Sequence, residues 1–441
     1  MSAPMEENKR PSDNVMSNLM ALNKLTYRTP PSLSIASQAR YVENYPQQRS
    51  YGDLSTIVFN VNTGSQFLDA KNSYLAFNIA ARTGGVAGSI CDFGKGSAWN
   101  LVENVRVKSR SGTEICRVQG QNLLSNVRHR YTCPKDAFVS SLQAEGYFAN
   151  ETTAGTDGTG NLIGAAAGLD VVLPLHWIPC FDQHGGKLLP PQLADGMIIE
   201  IDLASVGQAF IATGGNNPDS YTLSELKIRW KAFQIADAFA RKVNEMSARD
   251  GLNLVHKEWY RTLTSANDTA YNYDVKKSAS KALQVLVVPR ASAAIGNIAG
   301  DSNECQANDL QQFQFQNSST YYPNAPMRLG NGAAVPPTSC AEAYYYVLAS
   351  WGRNHCNHQT DVSLINYSAT PPSADTQASM GVASAGFCKS QVSDLAGIMI
   401  NSARTLNCEV LFNNGVARRL DTWLCHARHT KVYQENCVVA D

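Results

Sequence analysis

The chain has 441 residues and no net charge, because 37 lysines and arginines balance 37 aspartates and glutamates. This length exceeds the usual size of one domain and favours two. A neutral chain lacks the basic surplus that wrapping nucleic acid requires, which argues against that class of function. Charged residues make up 17% of the chain against 44% apolar residues, a balance that favours extensive burial against other protein.

The termini and the cysteines indicate the compartment. No apolar run approaches the roughly 20 residues of a membrane-spanning helix. Residues 1–10 are charged and have no apolar core, so we expect no secretory signal. The 11 cysteines are odd in number and follow no C-x-x-C pattern. These features predict reduced, mostly buried thiols in a cytosolic or nuclear setting.

Residues 1–50 are predicted to form an N-terminal arm, with five prolines and many serines and asparagines. This composition cannot sustain a core of its own, so we expect the arm to become ordered only on assembly. Six basic residues against four acidic ones are too few to condense a genome, which favours protein or lipid contacts over DNA. An apolar stripe suited to such contacts comprises Met16, Leu19, Met20, Leu22 and Leu25.

Apolar and polar residues alternate with a period of two in much of the remaining chain. In residues 197–203, for example, Ile199 and Ile201 alternate with Glu200 and Asp202. This period predicts half-buried strands of antiparallel sheets with one face on a core. The clearest segments are residues 57–61, 75–79, 105–107, 197–203, 226–230, 283–287, 313–315 and 408–412.

Three segments predict helices. Residues 121–131 and 236–249 place apolar side chains on one face, and the second segment ends at Asp250-Gly251, a stop signal. Residues 340–351 give the clearest pattern, because Ser339 and Glu342 match a capping box ahead of a helical apolar repeat.

The order of these elements occurs twice along the chain. In each half, strands precede a helix, near residue 121 and again near 341, and a long loop follows at 148–169 and at 368–386. We therefore predict an arm (1–50), a first unit (51–235), a connecting helix (236–251) and a second unit (252–441). Each unit is all-β with about eight strands and an inserted helix, a description that fits a sandwich, a jelly roll or a barrel.

Candidate catalytic motifs are weak. The glycine-rich segments at Gly158–Gly160 and Gly185–Lys187 do not match a phosphate-binding loop, so both are interpreted as turns. The segment Gly381–Gly386, with Ser384, misses the esterase motif G-x-S-x-G by one residue. Glu200 and Asp202 share the polar face of one strand, where solvated acids usually lie. We expect no enzymatic activity and no catalytic residues.

Two other groups of residues could bind a ligand. Zinc could be held if His355, Cys356 and His358 met the group of Cys425, His426 and His429, although neighbours on a strand point to opposite faces. Surface histidines and core cysteines are the simpler interpretation, so no metal or cofactor is expected. The basic and aromatic residues of Lys227–Phe233 could touch nucleic acid, but a strand with a basic outer face explains them better.

Several segments carry a family resemblance. They include residues 174–203 (PLHWIPCFDQHGGKLLPPQLADGMIIEIDLA), 321–326 (YYPNAP), 351–355 (WGRNH), 418–425 (RRLDTWLC) and 432–439 (VYQENCVV), with 73–78, 101–105 and 121–124 nearer the front. In order and spacing the chain resembles, over about residues 50–439, the major capsid proteins of Polinton-like viruses and virophages. These belong to the double jelly-roll lineage of adenovirus hexons and the capsids of tailless membrane-containing phages.

The resemblance implies an all-β fold of two tandem eight-stranded jelly rolls with a few short inserted helices. It implies a major capsid protein of an icosahedral virion that forms pseudo-hexameric homotrimers. The implied partners are neighbouring capsomers, penton and minor capsid proteins, and an inner membrane reached by the arm, without sequence-specific nucleic-acid binding. We expect the long loops to lie on the outer face of the shell.

Two alternatives stay open at this point. One is a tandem β-sandwich protein that binds or hydrolyses carbohydrate, although such a protein would usually be secreted. The other is a minor capsid protein of the same lineage, which differs from a major one in copy number.

Overall fold

The computed structural model describes residues 36–84, 86–87, 91–93, 96–138, 140–147, 168–182, 188–212, 217–299, 302, 310–329, 340–353, 362, 364–367, 382–387, 397–413, 415–433 and 437–440. Among them, no helix is both long and apolar enough to span a membrane.

The described residues of the first unit form twelve strands and four α-helices. The strands are β1 (Ala36–Asn44), β2 (Ser50–Gly52), β3 (Thr56–Asn60), β4 (Phe67–Thr83), β5 (Val86–Ala87), β6 (Cys91–Asp92), β7 (Val102–Lys108), β8 (Glu114–Gln119), β9 (Leu169–Pro174), β10 (Ile198–Leu203), β11 (Ile211–Ala212) and β12 (Ser220–Ile235). The helices are α1 (Gln121–Thr132), α2 (Lys135–Phe138), α3 (Pro191–Ala194) and α4 (Val206–Ala209), with 3-10 turns at Ala98–Leu101, Ser141–Glu145, Leu175–Trp177 and Pro179–Phe181.

Helix α5 (Asp237–Arg249) leads from the first unit to the second. The strands of the second unit are β13 (Leu252–Ala266), β14 (Ala270–Val275), β15 (Ala279–Ala291), β16 (Leu310–Asn317), β17 (Thr320–Arg328), β18 (Ala383–Gly386), β19 (Ile398–Ile400), β20 (Leu406–Phe412), β21 (Arg418–Val432) and β22 (Cys437–Ala440). Its helices are α6 (Ala341–Ser350) and α7 (Leu364–Tyr367).

Both units have the same strand topology. In the first, β1, β12, β4 and β9 form one sheet, and β3, β10, β7 and β8 form the other. In the second, the sheets are β13, β21, β15, β18 and β14, β20, β16, β17. Numbering the eight main strands of each unit in chain order gives 1-8-3-6 for one sheet and 2-7-4-5 for the other, in both units. The fold is therefore a double jelly roll, as the family resemblance implied.

The alternating segments lie in strands, because alternation lets each strand bury one face. In β10, Ile199 and Ile201 are buried, while Glu200 and Asp202 lie on the other face. Ile199 lies between Phe59 of β3 and Val107 of β7, so apolar residues of three strands line one core. Buried side chains of both units belong to one continuous hydrophobic cluster.

The predicted helices are present with small differences. Helix α1 follows Gly120, whose φ of 67° is a left-handed conformation that favours glycine. Helix α6 begins after Cys340, which makes no side-chain capping hydrogen bond. The capping box predicted from Ser339 and Glu342 is therefore not used at that N-cap, and Ser339 lies outside the described residues.

The N-terminal arm is shorter than the predicted residues 1–50. Strand β1 pairs with β12 over Ala36–Asn44, and Ser50 begins β2. The physical reason is that Val42 lies opposite the buried Trp230 and packs against the core, so this segment shares the core of the first unit. Residues 1–35, with the predicted apolar stripe, lie outside the described residues, as do 148–167 and 368–381 in the two long loops.

Candidate functional site

The junction between the two units is the most elaborate polar site in the described chain. Strand β8 is an edge strand of the first unit, and side chains of the second unit bond its backbone. The Arg117 N–H donates to Glu258 Oε1 over 3.0 Å, and the Trp423 indole N–H donates to the Gln119 carbonyl over 3.1 Å. His256 lies beside Ile115 of the same strand. Arg117 and Gln119, two residues apart on this edge, are thus both bonded by the other unit.

Glu258 is the centre of this contact. Its side chain is 7% exposed, Arg428 donates to it over 2.8 Å, and His426 lies 3.4 Å away. Burial by itself would raise the pKa of Glu258, but the hydrogen bond from His426 and the charge of Arg428 outweigh burial, so the pKa lies below its usual value. Glu258 therefore stays ionised and can accept the edge N–H as a charge-assisted bond.

His256 lies beside this carboxylate but, unlike Glu258, it is uncharged. Burial lowers the pKa of His256 to about 4, although the charge of Glu258 acts in the opposite direction. Its imidazole is therefore neutral near pH 7. A cavity of about 10 Å³ lies next to it, between Ile115, Cys180 and Met197 of the first unit and Leu254 and Thr430 of the second. Such a volume holds at most one water molecule, so this part of the junction is closely packed.

A second buried carboxylate, Asp421, organises the far end of the junction. Arg261 donates to its Oδ1 over 2.9 Å, and Arg290 donates to its Oδ2 over 2.7 Å. Burial would raise the pKa of Asp421, but the charges of Arg290 and Arg261 lower it below the usual value. The Arg261 guanidinium lies against Gly120, where a β-carbon would come within 2.6 Å of it. Only glycine leaves room for this contact.

Aromatic and backbone contacts complete the junction. Trp351 stacks between Tyr131 of the first unit and Trp259 of the second, at 5.9 Å between ring centroids on each side. The Ser302 hydroxyl donates to the Gly207 carbonyl of the first unit over 2.8 Å. The two units are thus joined by hydrogen bonds, stacking and close packing, and the arrangement holds their relative positions rather than binding a substrate.

The first unit contains a buried network that the sequence did not indicate. Glu145 accepts hydrogen bonds from the Trp99 indole over 3.0 Å and interacts with His129 Nε2 at 3.1 Å. The other His129 nitrogen lies 2.6 Å from the Ser125 carbonyl. Neither His129 nor Glu145 has an exposed surface of more than 5%. The network joins α1 to the 3-10 turns at Ala98–Leu101 and Ser141–Glu145, and these segments lie too far apart in sequence for a motif to reveal it.

Most candidate ligand-binding residues are placed in structural roles or lie outside the described chain. Ser384 is buried in β18, where its hydroxyl interacts with Gln284, Ser350 and the Val285 carbonyl. Glu200 and Asp202 pair with Lys108 and Arg106 of the adjacent strand. Gly158–Gly160 and Gly185–Lys187 are not described.

Only one of the two candidate groups of metal ligands lies in the described chain. Cys425 and His426 are both buried in β21, because each face of this strand is covered, and His426 faces Glu258. His355, Cys356 and His358 lie outside the described residues, and the described ones contain no group of three potential ligands. The eight described cysteines are free thiols, as predicted, and seven of them are buried.

The basic segment Lys227–Phe233 lies in β12 on the outer face of the first unit. Arg229 Nε donates to Glu43 of β1 over 2.6 Å, and Lys227 lies 3.6 Å from the same carboxylate. Tyr41, Tyr45 and Tyr74 surround these charges, with Tyr41 and Tyr45 57% and 62% exposed. The segment is therefore part of a mixed-charge aromatic surface rather than a row of unpaired cations.

No protein-family model and no curated protein matches this sequence. Solved structures do match its fold. The Faustovirus major capsid protein aligns with a TM-score of 0.64 and 10% identity over 94% of each chain. The PBCV-1 virus capsid aligns with a TM-score of 0.63 and 9% identity over 94% of this chain and 99% of that one. The mavirus major capsid protein aligns at 0.52 and 11% over 100% of this chain and 95% of that one. At these identities the likeness concerns the fold.

Proposed function

We propose that this chain is a major capsid protein that builds the shell of an icosahedral virion. The observation that carries the proposal is the repetition of one eight-stranded topology in two units joined by a buried junction. The solved structures with this arrangement over almost the whole chain are capsid proteins. Two similar units in one chain let a single protein tile a surface with repeated contacts.

The functional form in this proposal is a homotrimer with a pseudo-hexagonal outline, because three chains supply six similar units. Further contacts join it to neighbouring capsomers and to penton and minor capsid proteins. Residues 1–35 face the interior and reach neighbouring proteins or an inner membrane, and the loops at 148–169 and 368–386 face outward. The lack of net charge supports dense packing of many copies without self-repulsion.

Light scattering after gel filtration of the purified full chain tests the proposal. We expect a particle of three times 47.9 kDa that persists at micromolar concentration. A folded, stable monomer would contradict a capsomer role. If that monomer also bound oligosaccharides, the carbohydrate-binding alternative would replace the proposal.

Limited proteolysis of assembled particles tests the orientation. We expect the first cuts within 148–169 and 368–386, because outward loops are accessible to the protease. Removal of residues 1–35 should leave trimers intact and impair shell closure. Early cuts within the strands and protected loops would show that the orientation is wrong.

A further inference from the structure

The junction within the chain joins an edge of the first unit to a face of the second unit. In the described residues, the equivalent edge of the second unit and the equivalent face of the first unit stay uncovered. The fifth main strand of the first unit, β8, lies with its edge on the β13–β21 face of the second unit. The fifth main strand of the second unit is β17, and among the described residues no strand pairs with its outer edge. Its side chains are mostly exposed, including Tyr321 at 39%. The equivalent of the β13–β21 face is the β1–β12 face of the first unit.

The two faces can be aligned residue by residue. Arg229 and His426 each lie six residues before the end of the eighth main strand, at Ile235 and Val432. Glu43 pairs in register with Arg229, and Glu258 pairs with His426. Two residues further along the chain in each unit lies a tyrosine, Tyr45 directly after β1 and Tyr260 within β13. The two faces therefore share the pattern Glu-x-Tyr at the same place in the fold.

The same alignment matches the residues around the carboxylates. Tyr41 takes the place of His256, and Lys231 takes the place of Arg428, since each of these pairs is also in register. In both units a basic side chain of the eighth strand holds the glutamate, at 2.6 Å for Glu43 and 2.8 Å for Glu258. Glu258 uses its remaining capacity to accept the β8 edge N–H. Glu43 accepts hydrogen bonds from Arg229 and from the Tyr45 hydroxyl, and its side chain is 31% exposed.

We propose that the β1–β12 face, with Tyr41, Glu43 and Tyr45, receives the outer edge of β17 from a second copy of this chain, with Glu43 accepting a β17 backbone N–H. The inference rests on the proposed capsomer function, in which the contact repeats around a ring. It is heterologous, since a face of one copy meets an edge of the next, and such contacts form closed rings when the rotation between copies permits.

The sequence of β17 fits an edge that is bonded by side chains rather than by another strand. Pro323 and Pro326 remove two backbone donors, so continuous strand pairing along this edge is prevented. The remaining backbone N–H groups of β17 need separate acceptors. The ionised carboxylate of Glu43, which is held by Arg229 and Lys227, supplies one. Tyr41 and Tyr45 provide the large, rigid aromatic area that is enriched in protein interfaces.

Two variants with complementary defects test the contact. The face variant carries Tyr41→Lys and Tyr45→Lys, and the edge variant carries Tyr321→Lys and Ala325→Lys, all at exposed positions. Each variant alone should give folded monomers of 47.9 kDa by light scattering and an unchanged circular dichroism spectrum. An equimolar mixture should give dimers of twice that mass, because one intact edge still meets one intact face. Glu245→Lys, on the exposed side of α5, is the control and should remain trimeric.

The outcomes separate this inference from the proposed function. Wild-type trimers together with trimeric face and edge variants would overturn the inference and leave the capsomer role intact. A monomeric wild type would overturn the capsomer role itself. If the face variant dissociated while the edge variant stayed oligomeric, the contact would join two faces, and the heterologous pairing would be wrong.

Within the trimer, Glu43→Ala should raise the dissociation constant about tenfold or more, and Glu245→Ala should leave it unchanged.

Discussion

Glu43 and Glu258 hold the same position in two copies of one architecture but have different surroundings. Glu258 is buried by the other unit and bonds a backbone N–H of β8, whereas Glu43 shares an exposed face with tyrosines. The same residue in the same local fold thus contributes to the stability of the chain in one unit and is available to a partner in the other. In the contact that we propose, the duplicated fold uses one recognition surface twice, once within the chain and once between chains.

The largest effect is expected where the buried junction loses a charge. Asp421→Asn leaves Arg261 and Arg290 without their shared carboxylate in a site with almost no solvent. We expect the free energy of unfolding to fall by about 3–5 kcal/mol. Urea denaturation followed by tryptophan fluorescence measures this change. A loss well below about 1 kcal/mol would mean that the junction does not depend on this cluster.

Removing the two equivalent glutamates sharpens the comparison directly. Glu258→Ala leaves Arg428 and the Arg117 N–H without their acceptor, and we expect a loss of about 3 kcal/mol. Glu43→Ala, measured on the monomeric edge variant, should lower the free energy of unfolding by about 1 kcal/mol or less, because Glu43 is partly exposed there and its ion pairs face solvent. Equal losses for the two substitutions would show that burial does not distinguish the faces.

Acid should weaken the junction within the chain. The pKa of His256 is lowered to about 4, so between pH 6.5 and pH 4 the unfolded chain binds a proton that the folded chain does not. The contribution of His256 to the free energy of unfolding is therefore complete above pH 6.5. It decreases as the pH is lowered, by about 2 kcal/mol between pH 7 and pH 5. His256→Gln should flatten this part of the profile.

The lowered pKa values of Asp421 and Glu258 act in the same direction but at lower pH. Each ionised carboxylate stabilises the fold at pH values above the pKa of that group in the unfolded chain. This stabilisation is lost as the pH falls through the lowered pKa of the folded chain. The outer face has Tyr41 at the position that His256 holds at the junction, so it lacks that histidine. Trimer dissociation should therefore be less sensitive than unfolding to pH between 7 and 5. A profile unchanged by His256→Gln would show that other groups cause the acid sensitivity.

The smallest expected effect concerns two glycines. Gly120→Ala introduces a β-carbon at a positive φ and pushes it into Arg261, whereas Gly112→Ala has the same backbone strain with open space around it. We expect losses of about 2 kcal/mol for Gly120→Ala and about 1 kcal/mol for Gly112→Ala. The difference between the two losses measures the cost of the contact with Arg261. Thermal unfolding of both variants determines this difference. Identical losses would mean that Arg261 moves aside without cost.

Local sequence predicted eight of the strands and the three longest helices, because alternation and helical spacing are properties of neighbouring residues. Residues 197–203 predicted β10 on this basis, and the repeated order of elements predicted two similar units. The start of the first unit was misplaced, because β1 is recognisable as a strand only beside Trp230 of β12. Helix α6 has Cys340 at its N-cap without a side-chain capping hydrogen bond, whereas Ser339 of the predicted capping box lies outside the described residues.

The tertiary structure decided which of these surfaces is buried. Arg117 and Glu258 are 141 residues apart, and neither has a local pattern that indicates a partner. Cys425 and His426 were expected on opposite strand faces, which left one of them for the surface, yet both are buried because the first unit covers the second face of β21. Alternation specifies that a strand has two faces, but the burial of each face depends on what packs against it. The long-range packing of the two units determines this.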